Sequence, residues 1–158
     1  MPEGEVGVAA VALGSNLGDR ERNLEEAVVR LGGLGKVLAV SRFIDTAPVG
    51  YLDQPRFLNA ALLLETKVSP LALLQSLLRI EQGMGRDRAK VPAKGPRIVD
   101  LDLIFYGQQL LQTEELTLPH PAMQERMFVL APLAEIAPGW RHPRLGLTVA
   151  ELLFRASA

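Results

Sequence analysis

Apolar residues recur along the chain with two different periods, and the switches between them mark out the elements. Residues 6–13 are almost continuously small and apolar, the pattern of a strand buried on both faces. The turn-rich run Gly14-Ser15-Asn16-Leu17-Gly18-Asp19 follows, and Asp19 suits a helix N-cap because its carboxylate accepts from the first unpaired backbone N–H groups. Leu24, Ala27, Val28 and Leu31 then fall at i, i+3, i+4 and i+7, one stripe facing a core, and Gly32-Gly33 ends the helix. A second strand is predicted over 36–45, broken by Thr46-Ala47-Pro48-Val49-Gly50, with a loop over 50–56. A third strand over 57–66 places Phe57, Asn59 and Ala61 on one face and Leu58, Ala60 and Leu62 on the other. Ser69-Pro70 opens a second helix, where Leu74, Leu77, Leu78 and Glu81 share a face and a carboxylate finishes an apolar stripe.

The fourth strand, 98–106, carries the chemistry. Asp is depleted in strands, yet Asp100 and Asp102 both occur here. Their i, i+2 spacing puts both carboxylates on one face with roots roughly 6.5–7 Å apart, while Val99, Leu101 and Leu103 line the other. One reading is a polar face turned to water. The other is a cation site, since a cation removes both the like-charge repulsion and the desolvation of the pair. Ile104 continues the same face with an apolar side chain, which favours the cation. Oxygen ligands without a nearby His or Cys suit Mg²⁺, and two carboxylates this close also suit a bridged pair of metals.

The element order up to Tyr106 is βαββαβ. It predicts an α+β fold with a ferredoxin-like core, an antiparallel sheet with helices packed on one face. Beyond it, 108–111 is a candidate hairpin partner, and Leu118-Pro119-His120-Pro121 leads into a helical stretch with Arg126, Met127 and Phe128. An apolar run over 129–136, a Pro138-Gly139 turn and a last helix over 148–156 make a C-terminal helical extension.

At 158 residues the chain reads as one domain, 1–158, with no internal repeat. A formal net charge of −1 argues against a protein built to grip nucleic acid. The absence of Cys excludes disulfides and thiolate chemistry. Glu3 and Glu5 stand where a secretory signal needs positive charge, and no apolar run approaches the roughly 20 residues of a membrane span, so a cytoplasmic protein is expected.

Phosphate-binding groups are the next question. Residues 83–95 form a long linker bearing Arg86, Arg88, Lys90 and Lys94, with Arg97 just beyond. It is either a solvated loop of scattered charge or a phosphate-gripping lid, and proximity to the carboxylate pair favours the lid. Gly35-Lys36 is no phosphate loop, because Arg30 and Val37 replace the residues that motif requires; Gly14–Gly18 reads as a structural turn. His120 is either structural or functional, whereas His142 reads as structural. Phe57 and Phe128 are either core residues or a clamp for a flat heterocycle whose edge Asn59 reads.

Taken together these stretches resemble the 6-hydroxymethyl-7,8-dihydropterin pyrophosphokinase family. The resemblance runs from Leu13-Gly14-Ser15-Asn16-Leu17-Gly18 to Pro132-Leu133-Ala134-Glu135-Ile136-Ala137-Pro138. It is carried most specifically by Gly95-Pro96-Arg97-Ile98-Val99-Asp100-Leu101-Asp102-Leu103, Phe57-Leu58-Asn59-Ala60-Ala61 and Leu118-Pro119-His120-Pro121. It implies pyrophosphoryl transfer from ATP to the pterin hydroxymethyl group with release of AMP, using two Mg²⁺ ions on Asp100 and Asp102. It implies a pterin site of Phe57, Phe128, Asn59, Thr46, Val49 and Gly50. Arg86 and Arg97 are assigned to the transferring phosphates, and Glu81, Arg88, His120 and Arg126 to ATP. The implied partners are these two small molecules, with a monomer expected and neither nucleic acid nor membrane. The lid departs from the family pattern: Ala93 and Lys94 stand where a basic residue and Trp are common, and Pro121 where an aromatic residue often follows the His. Another phosphotransferase or a non-catalytic binding module on the same fold are the alternatives; an RNA-binding sheet would need paired aromatics and a Gly-aromatic signature that this chain lacks.

Overall fold

The first and third predicted strands carry the most continuous apolar sequence, and they form the middle of the sheet. The structure, a computed structural model, describes residues 5–48, 53–85 and 98–157. Strand β1 (Gly7–Ser15) pairs antiparallel with β4 (Phe57–Thr66) on one side and β5 (Asp100–Tyr106) on the other. Strands β2 (Lys36–Val40) and β3 (Ile44–Thr46) pair with successive parts of β4, giving the order β2-β4-β1-β5 with β3 beside β4. With α1 (Arg20–Leu31) after β1 and α2 (Pro70–Gly83) after β4, this is the expected ferredoxin-like α+β arrangement.

Helix α1 starts where Asp19 accepts from the Arg22 N–H at 3.2 Å, and its buried stripe is Leu24, Ala27 and Leu31. In α2 Pro70, Leu73, Leu77 and Glu81 are buried; Leu77 and Glu81 face inward as expected, while Leu73 takes the fully buried place and Leu74 and Leu78 are half-buried. Both helices pack on the Leu13, Leu62 and Leu64 face of the sheet.

Helices were expected on one face, and here the structure differs. The opposite face presents Ala10, Ala12, Ala61, Ile104 and Phe105, too apolar to leave in water. A 3₁₀ turn (Met123–Glu125), α3 (Met127–Ile136) and α4 (Val149–Ala156) cover it, so the C-terminal extension supplies a second core. In β5 the register jumps from Val11↔Leu103 to Ala10↔Phe105, and the extra residue puts Ile104 and Phe105 on the same side. Trp140 stacks on Phe105 with ring centroids 5.2 Å apart, and His142 meets the same ring edge-on. His142 is buried, and its Nδ1 accepts from the Arg144 and Leu145 N–H groups, so its role is structural, as expected.

Two local expectations are corrected. The single strand predicted over 36–45 is interrupted at Ser41, whose backbone N–H donates to Ala61 O and whose Oγ accepts from the Ala61 N–H. The side chain takes over a ladder position, the edge bends, and pairing resumes as β3. The hairpin is not at 108–111: Gln109 N–H closes a turn onto Tyr106 O, and the pair is β6 (Leu111–Gln112) with β7 (Thr117–Leu118). Among the described residues no helix is long and apolar enough to cross a membrane.

Leu62 lies fully buried on the central strand β4, against β1 and β2. Leu62→Ala is expected to lower the unfolding free energy by about 2–5 kcal/mol, measured by denaturant titration.

Candidate active site

Pairing register, not sequence distance, assembles the site. Opposite residues of antiparallel strands share a face, and Gly14 lies opposite both Asp100 and Asn59. One row therefore runs Asp100, Gly14, Asn59, and the next runs Asp102, Ala12, Ala61. Ala12 and Ala61 belong to the α3-side core, so both carboxylates and Asn59 face that side. Each step across paired strands is about 4.5–5.5 Å, which separates the Asp100 and Asn59 backbones by roughly 9–11 Å. Between them the floor is made only of Gly14 and Ala12. A Cβ on Gly14 would sit 3.0 Å from Asn59 Oδ1 and 3.5 Å from Phe57 Cδ1. The missing side chain is what lets Asn59 and Phe57 lie this close to β1.

At one end of this row stand the residues assigned to the pterin. Asn59 is buried, and its Nδ2 donates to Thr46 Oγ1, which fixes the amide. Thr46 reaches it because β3 pairs Ile44 with Asn59 and Thr46 with Phe57. Phe57 shares the face of Asn59, and Phe128, in the first turn of α3, packs against the core on that same side. The Arg126 guanidinium lies 5.7 Å from the centroid of the Phe128 ring.

At the other end, β5 borders a cleft of about 220 Å³ whose lining includes Leu74, Leu101, Asp102, Glu114, Glu115 and His120. His120 is held by its backbone, whose N–H donates to Ile104 O at 2.9 Å. Its Nδ1 accepts from the Ala122 N–H at 3.2 Å, so the neutral ring carries its proton on Nε2. Burial pushes its pKa from 6.5 down to about 4, and Arg126 adds to the fall while Asp100 opposes it. That shared electrostatic influence brings His120, Arg126 and Asp100 into one neighbourhood.

Asp100 and Asp102 are half-buried, and among the described residues no group of three or more His, Asp or Glu converges to hold a metal ion. The pair nevertheless fits magnesium. That ion commonly takes one or two carboxylates and completes its shell with water and substrate phosphates. The cleft that Asp102 lines leaves room for such ligands.

Glu81, assigned to ATP, is 1% exposed, and its Oε2 accepts from the Leu101 N–H at 2.8 Å. Val49, Gly50, Arg86, Arg88 and Arg97, together with Ala93 and Lys94, lie outside the described residues.

Sequence reasoning missed the ties that steady the segment before Phe57. Asn16 Nδ2 donates to Gln54 Oε1 at 2.8 Å and to Pro55 O at 3.1 Å. Asp45 accepts from Arg20 at 3.2 Å and from Arg56 at 2.6 Å. The available signal was an amide in the middle of a Gly-rich turn. Gly18 holds a left-handed φ of 69°, and Asn23 donates to Leu17 O, so the turn expected over Gly14–Gly18 begins only after Ser15, Gly14 and Ser15 being the end of β1.

Residues 10–138 match the family described as 7,8-dihydro-6-hydroxymethylpterin-pyrophosphokinase (HPPK). The chain belongs to that family. HPPK chains are ATP-dependent pyrophosphoryl transferases, and this is one of them. It is 47% identical over 131 residues to the 2-amino-4-hydroxy-6-hydroxymethyldihydropteridine pyrophosphokinase of Bacillus subtilis, covering 82% of this chain and 77% of that one. The protein of the same name from Synechocystis sp. is 45% identical over 147 residues, or 92% of this chain and 74% of its own. The crystal structure of wild-type Plasmodium falciparum HPPK-DHPS superposes with a TM-score of 0.75 at 16% identity, over 98% of this chain and 45% of that one. At that identity the likeness speaks for the fold alone, and this chain spans less than half of the longer protein.

Two outcomes follow for an HPPK with this geometry. Gly14→Ala is expected to keep the melting temperature within a few degrees and to weaken pterin binding about tenfold or more, read by calorimetric titration, because Asn59 must yield to the new methyl. For His120, a pKa held near 4 means the folded protein binds fewer protons than the unfolded chain between pH 6.5 and 4. Its stabilising contribution is complete above 6.5 and is lost as pH falls toward 4. The drop in unfolding free energy from neutral to acid pH is therefore expected to be smaller in His120→Asn than in the wild type.

Proposed function

We propose that this chain transfers the β,γ-pyrophosphoryl group of ATP to the hydroxymethyl oxygen of 6-hydroxymethyl-7,8-dihydropterin, a step toward folate. The observation that carries the site assignment is the row Asp100, Gly14, Asn59, which sets an amide and a carboxylate at opposite ends of a floor without side chains. Its span of roughly 9–11 Å suits a bicyclic ring with a one-carbon arm pointing at the carboxylates.

Asn59, oriented by Thr46, reads the edge of the pterin, with the backbone at Val49 and Gly50 completing the contact. Phe57 and Phe128 take the two faces of the ring and exclude water from it. Asp100 and Asp102 hold magnesium, two ions with the nucleotide bound; the metal supplies neutralisation of polyphosphate charge. His120, neutral, offers its Nε2–H to a phosphate oxygen, and Arg126 brings positive charge to the same side. Arg86 and Arg97 meet the charge on the transferring group, and Arg88 adds to the nucleotide site. The hydroxymethyl oxygen bonds to the β-phosphorus as the bond from that phosphorus to the α,β-bridging oxygen breaks, and AMP leaves. The chain acts as a single domain and a monomer in the cytoplasm, on two small molecules, with no nucleic acid or membrane partner.

The test is incubation with Mg-ATP with and without the pterin. AMP that forms only with the pterin is the expected product; ADP would indicate a different phosphotransferase, and no turnover a binding module. Asp100→Ala and Asp102→Ala are each expected to lower turnover by at least about 100-fold with the circular dichroism spectrum unchanged. Near-wild-type turnover in either variant removes that carboxylate from the metal site.

A further inference from the structure

Among the described residues strand β5 lies at the edge of the sheet, with β1 its one ladder partner. On the other side, residues with outward-facing backbone need partners from elsewhere. Ile104 O is taken by the His120 N–H at 2.9 Å. The Leu101 N–H is taken by Glu81 Oε2 at 2.8 Å. That N–H belongs to the peptide joining Asp100 to Leu101, and Asp102 is the next residue. On the side away from β1, the Glu81 side chain thus holds the stretch of backbone that separates the two carboxylates.

Glu81 is 1% exposed and continues the row of Leu73 and Leu77 on α2. A leucine would extend that row with less desolvation, so burying a carboxylate here calls for a polar role. The helix also gives the oxygen a firm mount, since α2 is packed along its length against the sheet and touches β5 directly. An edge strand free on one side can rotate about its ladder, and rotation would swing both carboxylates together.

We infer that Glu81 is a positioning residue for the metal pair: by accepting the Leu101 N–H from the open side of the sheet, it sets the tilt of the Asp100–Leu101 peptide. The separation and aim of the Asp100 and Asp102 carboxylates follow from that tilt. This rests on the reading that those two residues hold the metal.

The experiment compares Glu81→Gln, which keeps an acceptor at the same reach, with Glu81→Ala, which removes it. Mn²⁺ binding in the presence of α,β-methylene ATP is read by electron paramagnetic resonance, and pterin binding without nucleotide by calorimetry. Glu81→Ala is expected to lose Mn²⁺ affinity about tenfold or more, Glu81→Gln to stay within about threefold of wild type, and pterin affinity to stay unchanged in both. A folded Glu81→Ala protein that binds Mn²⁺ as tightly as wild type overturns the inference. So does a Glu81→Gln protein that loses as much as Glu81→Ala, since the charge and not the hydrogen bond would then matter. If Glu81→Ala does not fold, Glu81→Asp, which withdraws the acceptor by one methylene, is expected to show the same loss, and wild-type affinity there overturns it. Wild-type protein that takes up no Mn²⁺ would instead remove the metal reading itself, and this inference with it.

Discussion

Two carboxylates on one face of a paired strand resist being covered by apolar side chains, because each would lose its hydration while their repulsion grows as water leaves. The rest of the architecture accommodates that constraint. On the α3 side the helices and the 3₁₀ turn close over Ala10, Ala12, Ala61, Ile104 and Phe105, while Asp100 and Asp102 remain half-buried at the margin. The bulge at Ile104 is where the strand changes character, from carboxylates to packed aromatic core, within three residues. A row of small residues with negative charge at one end is the consequence.

The opposite wall is organised by a different economy of hydrogen bonds. Ser41 takes a ladder position with its side chain, β2 ends, and β3 begins in the register that sets Thr46 beside Asn59. Asn16 and the Arg20–Asp45–Arg56 cluster then tie down the chain on either side of that contact. Exposed ion pairs of this kind add little to stability, and their value here lies in geometry, since they hold two segments far apart in sequence against one binding end.

The carboxylate end and the Asn59 end of the row are joined through β1, which contributes no charged group between them. Its part is to be small at Gly14 and Ala12 and to pair with both flanking strands at once. Helix α2 acts from beneath, reaching the edge of β5 through Glu81. The catalytic chemistry thus depends on a strand and a helix that present nothing to the substrates but small side chains and backbone restraint.

Much of this was legible in the residues alone. Periodicity located β1, α1, β4, α2 and β5, because burial on one or two faces leaves a pattern that no other constraint imitates, and the i, i+2 carboxylates of Asp100 and Asp102 announced a common face. Local patterning could not give the partner of each strand. Register across β5, β1 and β4 put Gly14 between Asp100 and Asn59, and that is a property of three residues each more than forty positions from the next. The division of Ser41 from its strand, the C-terminal helices on the second face and the turn of Glu81 toward Leu101 were likewise decided in three dimensions. Hydrophobic pattern specifies which side of an element is buried; which hydrogen-bonding group meets which, and across what distance, is settled only when the elements pack.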